Sequence, residues 1–146
     1  MKKSELLKKL TSSGIDYEAL KKEFNLHLKK GEPMVNQILI QIIKKLSSHK
    51  AELMQIISPK NVIENHESKM ITSAIKEEIY ENIKELSLLS WQIKKSMLSD
   101  EQDMMNSIKS SVNYCLKKYN PMKKKLCEEM IKNWKIEEIK NNYYIS

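Results

Sequence analysis

The stretch SKMITSAIKEEIYENIKELSLLSWQIKKSM, Ser68–Met97, decides how this chain is read. It contains neither glycine nor proline, and apolar residues recur at Ile71, Ile75, Ile79, Ile83, Leu86, Leu89, Ile93 and Met97. Steps of three and four residues are the period of an α-helix with one face toward a core. Together with Ala74, that face covers about half of the helix circumference. Tyr80, Leu88 and Trp91 fall outside it, so apolar surface is present on a second side. The pattern predicts a central helix touching several neighbours. Asn82 sits within the apolar set, a polar residue suited to fixing the register of a packed seam.

Outward from this helix, glycine and proline fall where the apolar period breaks. A short helix is predicted from Lys3 to Thr11, closed by Ser12-Ser13-Gly14. Asp16 is placed to cap a second helix, Tyr17–Lys29, with Tyr17, Leu20, Phe24 and Leu28 on one face. Gly31 then supplies a left-handed helix end, and Pro33 opens a helix to Ile57 that carries Val35, Ile38, Leu39, Ile42, Ile43, Leu46, Leu53, Ile56 and Ile57 on one side. Ser58-Pro59 repeats the start pattern. Ser99-Asp100-Glu101-Gln102 is a capping box for a fifth helix, with Met105, Ile108, Val112, Cys115 and Tyr119 inward. Asn120-Pro121 is expected to stop it. A last helix, Met122 to about Lys140, carries Met122, Leu126, Met130 and Trp134, and residues 141–146 are expected to form a tail.

No stretch alternates with period two for long enough to make a strand. The expected fold is therefore all-α: one helical domain over residues 1–146, a bundle of five to six helices with a long central one. An unbroken helix from Pro59 to Met97 would reach roughly 58 Å. A compact domain of this length is roughly 40 Å across. A break near Asn65–Ser68 or an elongated shape is favoured, with a dimer next.

With 146 residues and 40% hydrophobic composition, the chain can bury a core. The formal net charge is +7, and all 26 basic residues are lysine. Without arginine, contacts to nucleic acid would be point charges and weakly sequence-specific. No apolar run is long enough for a signal peptide or a membrane span. Two cysteines without an export signal suggest free thiols in a reducing compartment, so a cytoplasmic location is expected. Cys115 and Cys127 flank Pro121 at similar distances, and a hairpin there would bring them level, with buried free thiols the favoured outcome.

Catalytic and cofactor patterns are missing from local spacing. Only Gly14 and Gly31 are present, so no glycine loop can cradle a phosphate. Glu77, Glu81 and Glu85 stack at four-residue steps, but none of His27, His49 and His66 follows a glutamate by three residues, as paired-helix metal sites require. No metal and no cofactor are expected. His49 lies on the apolar face of its helix and is read as a core or boundary residue.

Charge is uneven along the chain. Residues 66–108 carry five lysines against eight acids, and residues 109–146 carry nine against four. The sharpest cluster is Lys117-Lys118 followed by Lys123-Lys124-Lys125. A helix C-terminus suits the first pair, but the first turn of a new helix disfavours the other three, and free N–H groups there would suit an anion. Tyr80, Leu88, Trp91, Ile136, Ile139, Tyr143 and Tyr144 are the candidate partner surface.

Glu5–Leu26, ELLKKLTSSGIDYEALKKEFNL, is similar to the opening helices of helix-turn-helix DNA-binding domains, which implies a recognition helix next. HLKKGEP and a strongly apolar helix follow instead. Leu126–Trp134, LCEEMIKNW, resembles a segment of DnaD-type replication-initiation proteins. Each covers under a fifth of the chain.

The leading expectation is a non-enzymatic helical protein that binds another macromolecule, a protein partner or a second copy of itself. The alternative is a weakly sequence-specific nucleic-acid-binding protein that uses the lysines near both ends.

Overall fold

The computed structural model describes residues 2–57 and 73–145, with side chains through residue 133. Every regular element among them is helical: α1 (Lys3–Ser12), α2 (Tyr17–Phe24), α3 (Met34–Ile57), α4 (Ser73–Ser96), α5 (Glu101–Tyr114), a π-helical segment (Cys115–Tyr119) and α6 (Asn120–Ile145). The predicted all-α bundle is the observed architecture. Ile71 and the junction at residues 58–72, on which the length of the central helix turns, lie outside the described residues.

Chain chemistry sets the helix ends. Ile15 N–H reaches back to Leu10 O at 2.8 Å and Gly14 takes the left-handed conformation (φ 77°), closing α1. The Asp16 carboxylate accepts from Glu18 N–H at 3.1 Å and opens α2. Asp100, one residue beyond Ser99, caps α5 by accepting from Asp103 N–H at 2.8 Å. The N-cap is therefore Asp100 and not Ser99, whose hydroxyl donates to the Asp103 carboxylate.

α2 ends at Phe24 and not at Lys29. Asn25 adopts a left-handed conformation (φ 49°), and Leu26 N–H bonds Lys21 O at 3.2 Å. The following arm is paired by two glutamines one turn apart on α3. Gln41 accepts from His27 N–H at 2.9 Å and donates to His27 O at 2.8 Å. Gln37 does the same with Lys29, at 2.7 and 2.9 Å, and also donates to Glu32 O. Side-chain amides thus satisfy backbone groups that helix would otherwise have satisfied. Leu26, just before the paired residues, is buried, and Leu28, between them, packs on the core.

α5 does not stop at Asn120-Pro121. Asn120 N–H bonds Cys115 O, five residues back, so the helix widens by one residue just ahead of the proline. Proline has no N–H and its ring crowds the carbonyl four residues earlier; a π turn relieves both demands without ending the rod. Residues 101–145 form one rod, and the expected tail is helical through Ile145.

α3 packs most extensively against α4, α4 against α5, and α1 and α2 close one side of α3. Leu6, Leu10, Leu20, Ile38, Leu46, Ile79, Leu86 and Ile93 are fully buried. Each such side chain contributes about 1.5–3 kcal/mol by leaving water. Asn82 is buried, accepts from the Tyr114 hydroxyl at 2.7 Å and donates to Glu78 O at 2.7 Å, joining α4 to α5 in the interior. Among the described residues, no helix is long and apolar enough to cross a membrane.

Candidate functional site

The lysines near Pro121 do not surround a helix start. Lys117 and Lys118 lie in the π segment, and Lys123, Lys124 and Lys125 lie within a continuing helix, so the expected free N–H groups are not there. The dipole penalty inferred for an N-terminus falls away with them. Three of these lysines instead face acids on other helices. Lys118 Nζ is 3.1 Å from Glu85, Lys123 is 3.4 Å from Glu52, and Lys125 is 3.5 Å from Glu78. These pairs are exposed, worth about 0–1 kcal/mol each, and orient α6 more than they hold it. Lys117 and Lys124 point to solvent.

α3 follows the segment similar to a helix-turn-helix opening. It is packed by α1, α2, α4 and α5, which leaves no free helix in the place of a recognition helix.

Tyr80, Leu88 and Trp91 form a stripe on α4 directly opposite its buried face, and more than half of each side chain area is exposed. Leu98, just past the helix, is 92% exposed. The stripe has a polarity: Glu77 and Glu81 lie at its N-terminal end, Lys84 at its middle and Lys95 at its C-terminal end, all exposed. Lys95 Nζ stands 5.1 Å from the centroid of the Trp91 ring and covers part of one face. The side chains of Ile136, Ile139, Tyr143 and Tyr144 lie outside those described.

A polar cluster that sequence reading missed lies where α2, α3 and the π segment meet. His49 is 7% exposed and stacks on Tyr119, with ring centroids 4.0 Å apart. Neither imidazole nitrogen has a hydrogen-bond partner among the described residues. Burial, reinforced by Lys45 and Lys123, lowers its pKa to about 4, so the ring is neutral at pH 7. Cys115 is fully buried at the first position of the π segment, and burial with the nearby Glu23 carboxylate pushes its thiol up to about 12. Burial also raises the Tyr119 hydroxyl above its ordinary range, with Glu52 adding to the effect. Asn120 donates to both Glu23 oxygens, at 3.2 and 3.0 Å.

A thiol beside imidazole and carboxylate has the residue content of a nucleophilic triad. The burial of Cys115 and its protonated thiol make it a poor nucleophile. Cys127 is exposed, against the expectation of two buried thiols. Because no hairpin forms at Pro121, the two cysteines sit twelve residues apart on one rod, roughly 18 Å along its axis, and cannot meet.

Comparison of the chain with protein-family models, with curated proteins and with solved structures finds no match in any of the three.

Proposed function

We propose that this is a non-enzymatic helical assembly protein that binds protein through the outer stripe of α4, its first partner being a second copy of the chain. The observation that carries this reading is the exposure of Tyr80, Leu88 and Trp91 in line on the face opposite the core. An aromatic side chain can bury about 150–250 Å², so each half-exposed ring leaves roughly 100 Å² to cover. With Leu88 and Leu98 the patch reaches several hundred Å², the range in which exposed apolar surface marks interaction sites.

The charge order of the stripe supports a second copy over an unrelated partner. When two α4 helices run antiparallel about a twofold axis near Leu86, Glu77 faces Lys95 of the second copy, and Glu81 lies beside its Trp91. An isologous contact repeats both pairings. The parallel alignment sets like charges against each other.

Sedimentation and light scattering over a range of concentrations test the reading. A dimer is expected, lost in Leu88→Asp. Glu77→Lys and Lys95→Glu should each weaken it, and combining the two should restore it. A chain that stays monomeric at all concentrations, or a double variant no better than the singles, overturns the proposal.

A further inference from the structure

The donor atoms of Glu23, His49 and Cys115 all lie within 4.8 Å of one another, brought together from α2, α3 and the head of the π segment. In a tetrahedral zinc site, bonds of about 2.0–2.3 Å place such donors roughly 3.5 Å apart. Side-chain movements of about 1 Å therefore close the set around an ion. Imidazole nitrogen, sulfur and carboxylate oxygen together form a donor set characteristic of zinc and unlike that of calcium or magnesium.

Two further observations point the same way. His49 is more than nine-tenths buried with both nitrogens unpartnered among the described residues, a costly arrangement for a neutral polar ring. Its neighbours also fix the donors: the Tyr119 stack sets the ring plane and Asn120 holds the Glu23 carboxylate. Ligands oriented by adjacent groups are a regular feature of metal sites. The π turn adds to this, since widened turns of this kind recur at functional sites.

We propose that Glu23, His49 and Cys115 bind a divalent cation of the zinc class. Three protein donors leave the fourth position to water or an added ligand. As the sulfur–metal bond forms, the thiol proton passes to solvent. The ion clasps α2, α3 and the rod that begins at α5, and is independent of the α4 surface.

The test is titration of the metal-stripped full chain with Co²⁺. One equivalent is expected to bind with a thiolate-to-cobalt charge-transfer band and the visible bands of a tetrahedral ion, and Zn²⁺ should displace it. Cys127→Ser should keep the band and Cys115→Ser should lose it. Glu23→Gln and His49→Phe should weaken cobalt affinity by about tenfold or more. Circular dichroism confirms that each variant is folded, and the half-buried Glu23 is the one least exposed to a folding defect. Absence of a charge-transfer band in the unmodified chain overturns the proposal, and so does a band that follows Cys127.

Discussion

The bond from the Tyr114 hydroxyl to Asn82 Oδ1 offers a quantitative test of how α4 and α5 are held together. Both residues are buried, and the 2.7 Å contact joins positions far apart in the chain. Tyr114→Phe removes the donor and strands the amide oxygen away from water, which costs about 1–3 kcal/mol. Asn82→Leu strands the hydroxyl at a similar cost, and also removes the bond to Glu78 O, whose helical partner remains. The double variant replaces both polar partners by apolar groups of similar shape, so it should lie within about 1 kcal/mol of the original chain. The two singles together lose roughly 4 kcal/mol, so the coupling energy is about 3 kcal/mol. Urea unfolding of the four proteins at one fixed concentration measures it, the fixed concentration holding any contribution from self-association constant across the set. Each single variant should also melt roughly 4–8 °C lower. Neutral singles, or a double variant whose loss equals their sum, would refute the bond as a linkage between the helices.

Two further outcomes follow from the same style of reasoning. In the metal-free protein, held in chelator, the depressed pKa of His49 makes stability fall with acid: the unfolded chain takes up a proton below about pH 6.5, the folded one only near pH 4. The contribution is intact above pH 6.5 and loses about 2 kcal/mol by pH 5; His49→Phe should remove that slope in urea unfolding across the interval, and an unchanged slope would rule out His49 as its source. Gln37→Ala should cost about 2 kcal/mol, because Gln37 is buried and serves three backbone groups, whereas Gln41→Ala should cost about 0.5 kcal/mol, because water can replace its exposed bonds. Equal losses in thermal unfolding would contradict the difference in burial.

Periodicity made the inward faces legible: Met105, Ile108, Val112, Cys115 and Tyr119 are all buried as read, and so is His49. Asp16 was legible because its capping bond spans two residues. The errors have a common physical origin. Leu28 continues the four-residue spacing of α2, but the arm is not helical, because Asn25 turns left-handed and glutamines on another helix pair the backbone that follows. Pro121 reads as a stop because the local rule is steric, and the π turn that avoids the clash has no simple composition. The outer stripe of α4 could be read from the sequence because one helix contains all of it. The Glu23–His49–Cys115 cluster could not, since its members come from three elements whose packing no local pattern encodes. Likewise, the acid ridge of α4 was visible, but its pairing with Lys118 and Lys125 depended on α5 continuing into α6.

The glutamine pairing of the arm also sets which substitutions are tolerated there. At residues 27 and 29, Gln41 and Gln37 bond only the backbone amide and carbonyl, and the side chains of His27 and Lys29 remain exposed. Identity at these two positions is therefore free in every respect but one. A label, a charge or a binding epitope can be placed at either without disturbing the arm, but proline, lacking the amide hydrogen, cannot.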